Sequence, residues 1–559
     1  MNSYGNEKKK KLPIGAEYFD DIVRDNYYYV DKTGLILEIL SGGSKVHLFT
    51  RPRRFGKTLN MSMLRSFFEI GAEKKLFSDT NVGRNKEICD QFLGKYPVVF
   101  ISLKGIEGMD FEEAKNDLKA LINLTAMEFS FLKNSERLEE EEKVAYQNLI
   151  NTESTMSDSF LKQSLRFLSM LLEKHYGRKV ILLIDEYDVP LDKAFQNGYY
   201  DEMVLLLRGI LGNVLKTNPS LWFAVLTGCL RISKESIFTG LNNLDVHSIV
   251  DTKYAQYFGF TEEEVCNLLR YYNREEKLPF LKEWYDGYHF GDVDVYCPWD
   301  VMKYVDALME NPQAVPQNYW SNTSGNALLK RMLGRASQKT KAELEMLIAG
   351  EAVTKKIHYD LTYNELDRTV DHIWSVLFHT GYLTQDMRGN LVIPNREIKS
   401  LFIDQISQWF DDMVKEDHTG RRKLYDAVLN KDFSCIEELL NGYLKKTISI
   451  RDTGVRNSMK ENFYHGILLG IFGCQDEWIV KSNPEAGDGY ADIFIIVPEQ
   501  DTGIVIEVKY AHNGNLNQAA DAALKQIEKN HYEDEMYDIE TVLPYGIAFY
   551  KKRCKVKTI

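Results

Sequence analysis

Apolar runs alternate with amphipathic stretches over the first 245 or so residues of this 559-residue chain. Strands that are buried on both faces of a sheet read as near-continuous apolar runs, whereas helices place apolar residues every three or four positions. The alternation therefore predicts a parallel sheet that helices cover on both faces. The predicted strands are 46–50, 97–103, 180–185 and 222–227.

The pattern becomes mostly helical between residues 246 and 450 and then returns to alternation. In the helical stretch, Thr261 is a predicted helix N-cap, and Glu264 occupies the capping-box position. Beyond residue 450 the elements follow the order α-β-β-β-α-β, which is typical of a compact layered domain. These elements are a helix at 458–474, strands at 478–482, 491–497 and 504–510, a helix from 516, and a strand at 545–550. Three domains are expected, over 1–245, 246–450 and 451–559.

Composition and charge narrow the class of protein. The chain is 44% hydrophobic and 27% charged, as folded proteins are. Its net charge of −13 argues against a general nucleic-acid coat, so a polyanionic ligand has to meet local basic patches. The aliphatic run 180–184 is far shorter than the roughly 20 residues that span a bilayer, and no secretory signal follows the N-terminal lysines. Seven scattered cysteines fit reduced thiols, so we expect a cytoplasmic protein without a membrane partner and leave homo-oligomer formation open.

A glycine turn at a helix start indicates a nucleotide site. Gly56, Lys57 and Thr58 follow the first predicted strand and open a helix, whose N-terminal N–H groups favour phosphate. In this pattern Lys57 reaches the β- and γ-phosphates, and the Thr58 hydroxyl binds Mg²⁺. The first glycine of the full pattern is absent and Pro52 removes a backbone donor. Three arginines supply positive charge instead: Arg51, Arg53 and Arg54. By itself the tripeptide is a weak signal, and a surface turn is the alternative.

A second motif strengthens that interpretation. The buried strand 180–185 ends in Asp185 followed by Glu186, which is where an NTPase holds Mg²⁺ and polarises the attacking water. Buried strands often end in Asp for structural reasons, yet the two motifs together favour a site for ATP and Mg²⁺. Thr227, at the end of another strand, is a candidate sensor of the γ-phosphate. Arg231 is either a charge-stabilising arginine or a surface ion-pair partner.

Two acids and a lysine indicate a second site near the C-terminus. If a six-residue loop joins strands 491–497 and 504–510, Asp492 lies opposite Lys509 and shares a face with Glu507. Converging carboxylates repel each other unless a hard cation such as Mg²⁺ lies between them. Such an ion activates a water molecule for phosphodiester cleavage, and the lysine orients that water.

Further residues are candidates for this site. Glu485 is a candidate metal ligand, and Glu461 and Gln526 are candidates for its surroundings. The alternative is a solvated hairpin face with ordinary ion pairs. The tail 551–557 holds five basic residues, which either contact a phosphate backbone or form a fraying, solvated terminus.

The sequence motifs described above resemble those of two domains that are known to occur together. The stretches 29–33, 51–58, 184–187 and 226–232 resemble the AAA-ATPase-like family of prokaryotic proteins. Glu485, Asp492 and the segment 507–509 resemble the PD-(D/E)xK nuclease superfamily domain that often ends those chains. The resemblance implies an α/β P-loop NTPase domain, a helical lid with a winged-helix-like middle region, and a restriction-endonuclease-like C-terminal domain.

The resemblance also implies roles for individual residues. Nucleotide-binding roles fall on Gly56, Lys57, Thr58, Asp185 and Glu186, and nuclease roles on Asp492, Glu507, Lys509 and Glu485. Arg54 and Thr227 are further candidate nucleotide contacts from their places in the sequence rather than from the resemblance. The leading hypothesis is an ATP-regulated, Mg²⁺-dependent nuclease that acts on nucleic acid, DNA rather than RNA. The alternative is a regulatory NTPase switch or interaction scaffold whose nuclease-like domain does not cleave. Asp31 and Lys32 either brace the nucleotide site or start a helix.

Overall fold

The structure is a computed structural model that forms two compact units. It describes residues 9–151, 156–230, 237–238, 243–320, 338–348, 350–359, 372–402, 417–447, 457–473, 475, 477–482, 485–486, 489–532 and 539–558. The N-terminal unit comprises 1–322, 355–389 and 394–397, and the C-terminal unit comprises 323–354, 390–393 and 398–559. The three predicted domains were drawn from sequence patterns, and their boundaries stay predictions.

A five-stranded parallel sheet forms the centre of the N-terminal unit, which confirms the predicted α/β fold. Its strands are β1 (Val46–Thr50), β2 (Val98–Ser102), β3 (Val180–Asp185), β4 (Leu221–Gly228) and β5 (Leu244–His247). Their spatial order is β2-β3-β4-β1-β5, and every pairing is parallel. All residues of β1 and β3 are buried, as the continuous apolar runs predict. The edge strand β5 was not predicted, because it is short and three of its four residues are only half-buried.

Helices surround this sheet and extend the N-terminal unit. The predicted capping box is present: the Thr261 N–H donates to Glu264 Oε2 at 2.8 Å, and the Thr261 hydroxyl accepts from the Glu264 N–H. The helices are Phe19–Arg24, Gly34–Ser41, Lys57–Phe68, Lys86–Phe92, Phe111–Met127, Glu140–Ile150, Asp158–Tyr176, Val189–Asn197, Tyr200–Leu215, Glu262–Tyr272, Leu278–Tyr285, Pro298–Glu310 and His372–His379. Three short strands complete this unit: β6 (Tyr288–Phe290), β7 (Val293–Val295) and β8 (Thr384–Gln385).

The C-terminal unit contains a mixed five-stranded sheet in the order β10-β13-β14-β15-β16. Only β14 and β15 run parallel to each other, and the other neighbours are antiparallel. The strands are β9 (Leu391–Val392), β10 (Ile479–Ser482), β11 (Glu485–Ala486), β12 (Gly489–Tyr490), β13 (Ile493–Val497), β14 (Thr502–Tyr510), β15 (Thr541–Tyr550) and β16 (Arg553–Thr558). The helices are Gln338–Ile348, His418–Leu429, Phe433–Thr447, Asn457–Phe472 and Leu516–Lys529.

Alternating side chains give this sheet two apolar faces. Ile504 and Ile506 pack on the side covered by the helices between 418 and 472, in a core that includes Leu440 and Leu468. Val505, one position out of phase, packs on the other side with Leu524 and Ile527 of helix Leu516–Lys529. Because successive side chains in a strand point to opposite faces, β14 reads as a continuous apolar run up to Glu507.

The basic tail is part of the sheet, so one of the two alternatives given for it, a fraying and solvated terminus, is wrong. Strand β16 pairs with β15 from Arg553 to Thr558. The Val556 N–H donates to Glu437 Oε1 at 2.9 Å, and Lys555 forms an ion pair with the same carboxylate at 2.7 Å. Lys557 pairs with Asp521 at 2.5 Å. Two of the basic side chains therefore already have acidic partners within the domain.

Two general features bear on the expectations from composition. Over the part of the chain that the structure describes, no helix combines the length and the apolar content that a bilayer crossing requires. The six cysteines in that part have free thiols: Cys89, Cys229, Cys266, Cys297, Cys435 and Cys554.

Candidate functional site

The carboxyl ends of three neighbouring strands bring together Thr58, Asp185 and Thr227. Strand β4 lies between β1 and β3 in the sheet, so its end separates the glycine turn from the acidic strand end. The Thr58 hydroxyl donates to Asp185 Oδ2 at 2.7 Å, and the Thr227 hydroxyl donates to Asp185 Oδ1. In a parallel α/β sheet, ligands bind beyond the carboxyl ends of the strands, which is where these three side chains meet.

The loop between β1 and its helix is shaped for an anion. Gly56 has a φ of 77°, a left-handed conformation that glycine adopts without strain, and helix Lys57–Phe68 begins directly after it. The Lys57 ammonium donates to the carbonyl oxygens of Arg51 at 3.1 Å and of Pro52 at 2.9 Å. Lys57 is thus held inside the loop, beside helix N–H groups that lack intrahelical partners. This arrangement can bind a phosphate group.

Two arginines of this loop make contacts away from the candidate phosphate site at Gly56 and Lys57. Arg51 is fully buried, donates to the carbonyl oxygens of Thr50 and His247, and lies 5.0 Å from the centre of the Phe258 ring. Arg54 donates to the Tyr319 carbonyl at 2.8 Å. The structure therefore brings Gly56, Lys57 and Thr58 together with Asp185, whereas it engages Arg54 with residues after position 297.

Glu186 lies next to this group in a left-handed backbone conformation, with φ at 52°. Burial raises the pKa of its carboxyl group, and Asp185 and Asp188 raise it further, while the Lys57 charge lowers it. Left-handed backbone is uncommon for a residue other than glycine and is concentrated at functional sites. The Lys57 charge acts on Glu186, so this acid lies beside the candidate phosphate loop.

Asp188 and Cys229 adjoin the site, and sequence reasoning missed both. Asp188 is buried, and its Oδ2 accepts the N–H groups of Cys229 at 2.8 Å and Leu230 at 2.9 Å. The Cys229 sulfur lies 3.5 Å from the Lys57 nitrogen. The available signal was the spacing of Asp188 three residues after Asp185. Arg231 lies outside the described residues.

Asp31 and Lys32 connect separate elements of the N-terminal unit and make their hydrogen bonds away from the phosphate loop. Asp31 Oδ1 accepts from the Thr33 N–H at 2.8 Å, and its Oδ2 accepts from the Asn81 N–H. Lys32 is buried and pairs with Glu264 at 2.6 Å. Asp31 therefore fastens the N-terminal segment to the backbone at Asn81, and Lys32 fastens it to Glu264, the residue that also caps its own helix.

The second group of candidate residues depends on the pairing of β13 with β14. The predicted register, with Val497 opposite Ile504, is wrong by two positions, because Val497 pairs with Thr502. The turn is shorter than expected: it contains four residues, with Asp501 in the left-handed conformation. A shift of two preserves the face on which each side chain lies. It places Asp492 beside Glu507 instead of opposite Lys509.

Asp492, Glu507 and Lys509 meet on one side of the hairpin. Asp492 Oδ2 accepts the Val508 N–H at 2.7 Å, and the Lys509 ammonium donates to Glu507 Oε1 at 2.8 Å. Glu507 is only 2% exposed, and its other oxygen, Oε2, is buried without a hydrogen-bond partner among the described residues. A buried carboxylate oxygen without a donor is suited to a metal ion, so the donor set fits a divalent cation.

The electrostatics of this group agree with that fit. Burial, and then repulsion from Asp492, raise the pKa of Glu507 to about 7, although Lys509 acts in the opposite direction. Burial lowers the pKa of Lys509, but the charge and hydrogen bond of Glu507, with Glu461 and Asp492, outweigh burial and raise it. Two neighbouring carboxylates repel each other when both are ionised, and a proton on one of them relieves this repulsion. A divalent cation between them would relieve it instead and allow both to be ionised.

Other candidates lie around the three residues. Glu461 on helix Asn457–Phe472 accepts the Tyr510 N–H at 3.1 Å, and His465 on the same helix contacts the Asp492 carbonyl at 2.8 Å. Gln526 bonds to the Tyr532 hydroxyl. Glu485 belongs to β11, and its side chain lies outside the described part of the structure.

An NTPase-type phosphate loop on a parallel sheet and an acid–acid–lysine group on a mixed sheet define a two-module class: an ATPase-like domain joined to a nuclease-like domain. Residues 13–238 match the family described as Predicted AAA-ATPase, and residues 459–559 match the PD-(D/E)XK nuclease superfamily. These two matches confirm the predicted resemblance to AAA-ATPase-like proteins that carry a C-terminal PD-(D/E)XK nuclease superfamily domain. It is similar to the uncharacterized protein in the vnfD 5′ region of Azotobacter chroococcum mcd 1, with 27% identity over 489 residues, 83% of each chain.

Proposed function

We propose that this protein is an ATP-binding and ATP-hydrolysing, Mg²⁺-dependent nuclease in which the nucleotide controls cleavage of nucleic acid. The observation that carries the proposal is the meeting of Asp492, Glu507 and Lys509, with Glu507 Oε2 buried and without a hydrogen-bond partner in the described structure. An ordinary surface ion pair would leave both groups in water, where pairing contributes little.

In the proposed nucleotide site, the chain supplies positive charge, hydrogen-bond donors and a water-orienting acid. Helix N–H groups after Gly56 and the Lys57 ammonium bind the β- and γ-phosphates. Thr58 and Asp185 hold Mg²⁺, and their 2.7 Å hydrogen bond keeps both oxygens at one place. Glu186 orients the attacking water, and Thr227 reports on the γ-phosphate through Asp185.

In the proposed nuclease site, Asp492 and Glu507 hold a divalent cation, with Glu485 as a further proposed ligand. A cation at this place polarises the phosphodiester and lowers the pKa of its water. Lys509 orients that water and offsets the charge that develops on the phosphate. The Val508 N–H keeps the Asp492 carboxylate turned towards Glu507.

The proposed polymer is nucleic acid, and DNA rather than RNA. A phosphodiester is the substrate class that an acid–acid–lysine metal site can hydrolyse. The net charge of −13 means that binding relies on local basic groups rather than on the whole surface. Added salt should therefore weaken nucleic-acid binding, and the steepness of this effect should reflect how many of those basic groups contact phosphates.

Cleavage assays with matched variants test the proposal. The purified chain is incubated with supercoiled DNA, single-stranded DNA and RNA, each with Mg²⁺ or Mn²⁺ and with or without ATP. We expect cation-dependent cleavage that falls by at least about 100-fold in Lys509→Ala, because a charge-stabilising group is lost. Lys525→Ala, an exposed lysine of the same domain, serves as control and should cleave normally.

A further variant tests control by nucleotide. Glu186→Gln should bind ATP but turn it over at least about 100-fold more slowly, because the water loses its orienting carboxylate. If ATP turnover persists while Lys509→Ala leaves every polymer assay unchanged, the C-terminal domain does not cleave and the protein is a regulatory NTPase switch. Cleavage that is indifferent to ATP in both wild type and Glu186→Gln would contradict the coupling.

A further inference from the structure

Two histidines and an aspartate meet at the edge of the N-terminal sheet, outside the groups described above. Strands β1 and β5 are parallel neighbours, and His47 lies opposite Asp245 in their register. His247 follows two residues after Asp245, so it shares the same face of β5. The pairing of two strands that are about 200 residues apart therefore collects three metal-ligating side chains on one side of the sheet.

The separations of the ligand atoms match a tetrahedral metal site. His247 Nε2 lies 3.3 Å from His47 Nδ1 and 3.4 Å from Asp245 Oδ2, and the three residues each offer one ligand atom within 4.8 Å of the others. Metal–ligand distances of about 2.0–2.1 Å in a tetrahedron imply about 3.3–3.4 Å between ligand atoms. Both measured separations exceed the 2.7–3.2 Å typical of hydrogen bonds with N–H donors. These two separations therefore fit ligands of one tetrahedral ion better than short hydrogen-bonded pairs.

We propose that His47, Asp245 and His247 bind one zinc ion, with the fourth position open to water. Two imidazoles and one carboxylate form a donor set that suits zinc better than magnesium or calcium. Within the part of the chain that the structure describes, no other group of three or more His, Cys, Asp or Glu residues brings its ligand atoms within 4.8 Å of one another.

The surroundings supply further features of a metal site. Both imidazoles are buried, so neighbouring residues hold the two rings in place. The Ser44 hydroxyl donates to Asp245 Oδ2 at 2.7 Å and orients the carboxylate. The Asp245 side chain is 42% exposed, which leaves an entry path for the ion.

Two cations near the group moderate the expected affinity. Lys253 lies close enough to both histidines, and Arg51 close enough to His247, for their positive charges to oppose a bound cation. Arg51 also donates to the His247 carbonyl at 2.8 Å, so the proposed site adjoins the first residue of the phosphate loop. We expect binding to be weaker than at a four-ligand structural zinc site, and Lys253→Gln should tighten it.

The competing interpretation is aromatic packing. The His47 and His247 rings stack with centroids 5.5 Å apart, and the Tyr254 ring lies 4.6 Å from His247. Packing of this kind needs no ion. Under that interpretation His247→Gln lowers the stability of the protein and leaves its metal binding unchanged. A spectroscopic test with cobalt separates the two, because tetrahedral Co²⁺ absorbs visible light far more strongly than hydrated Co²⁺.

The experiment uses the full chain without an affinity tag, after removal of metals with EDTA, and in an Asp492→Asn background that weakens the other candidate metal site. Titration with Co²⁺ should give one intense tetrahedral spectrum per chain, which Zn²⁺ abolishes by displacement. His247→Gln should weaken this binding by at least about 100-fold, more than the loss of a group that only orients a ligand. His289→Gln is the control, because His289 pairs with Asp294 at 2.6 Å in a half-exposed ribbon.

Two results would overturn the proposal. One is the lack of any tetrahedral Co²⁺ spectrum in the parent protein, and the other is an unchanged titration in His247→Gln. If His247→Gln proves unfolded by circular dichroism, Asp245→Asn takes its place, since that side chain is partly exposed and the change is isosteric. Retention of full Co²⁺ affinity in folded Asp245→Asn likewise contradicts the site.

Discussion

The Asp492 carboxylate accepts the backbone N–H of Val508 at 2.7 Å, at a point where the ladder between β13 and β14 has ended. The Asp492 side chain accepts a hydrogen bond that a backbone carbonyl would accept in a continuing ladder, so the two strands stay joined one residue beyond their last backbone pair. The same bond turns Asp492 towards Glu507, next along the strand from Val508. The carboxylate therefore has a structural role and a proposed metal-binding role, and these can be separated by substitution.

Asp492→Asn should keep the fold and weaken metal binding. The amide oxygen can still accept the Val508 N–H, but it carries no charge and is a poorer ligand for a hard cation. We expect a thermal midpoint within a few degrees of wild type and at least about 10-fold weaker Mn²⁺ binding, measured by electron paramagnetic resonance. Glu499→Gln, an exposed acid in the turn of the same hairpin, is the control. Wild-type Mn²⁺ affinity in Asp492→Asn would contradict the proposed role.

Lys57→Ala should weaken nucleotide binding without unfolding the N-terminal unit. The ammonium holds the loop through the Arg51 and Pro52 carbonyls, and a charge-assisted bond to phosphate contributes about 1.5–3 kcal/mol. Binding of a fluorescent ATP analogue should weaken by roughly 10- to 150-fold. Lys75→Ala, an exposed lysine paired with Glu73, should bind normally. Equal affinity in Lys57→Ala and Lys75→Ala would place the nucleotide elsewhere.

The buried carboxyl pair of Asp300 and Glu397 should make stability depend on pH. Both side chains are fully buried, and burial together with the Asp300 charge raises the pKa of Glu397 to about 9. Glu397 Oε1 accepts the N–H groups of Tyr319 at 2.5 Å and Trp320 at 2.9 Å, and Arg54 lies 3.7 Å from Asp300. The native protein thus retains a proton that the unfolded chain loses above its ordinary pKa of 4.5.

The sign of the effect follows from this difference in bound protons. The contribution of Glu397 to stability is complete below pH 4.5 and is lost as pH rises towards about 9, by up to about 1.4 kcal/mol per pH unit. Glu397→Gln is neutral throughout, so it should gain stability relative to wild type across that window. Denaturant unfolding at several pH values measures this, with exposed Glu310→Gln as control. Parallel pH profiles for wild type and Glu397→Gln would show that Glu397 is ionised in the native state.

The fragment 417–559 should fold on its own, whereas 451–559 should not. Helices His418–Leu429 and Phe433–Thr447 contribute four fully buried aliphatic residues to the core under the C-terminal sheet: Leu424, Val428, Ile436 and Leu440. Burial of each side chain contributes roughly 1.5–3 kcal/mol, so their sum is comparable to the whole stability of a domain. Cooperative thermal unfolding monitored by circular dichroism distinguishes the fragments. A cooperative transition in 451–559 with the midpoint of 417–559 would contradict this account.

The candidate sites were partly predictable because their residues lie at the ends of strongly patterned elements. Lys57 follows the buried strand β1 and Asp185 ends the buried strand β3, and the carboxyl ends of parallel strands share one edge of a sheet. Charged residues near the loop were less predictable: three arginines looked alike in sequence, yet Arg51 is buried in the core and Arg54 contacts Tyr319. Their positions depend on aromatic and carbonyl partners almost 200 or more residues away, which no local pattern reports.

The sequence by itself determined the strongly patterned helices and strands of this protein and the face on which their strand residues lie, because strand periodicity is local. That parity is why Asp492, Glu507 and Lys509 share a side even though the predicted register was two positions off. Tertiary structure decided the register, through a four-residue turn, and the incorporation of the basic tail as strand β16. It also decided which distant groups meet, among them His47 with His247 and Asp300 with Glu397. Such meetings depend on how strands and helices are ordered in space, and chain topology sets that order.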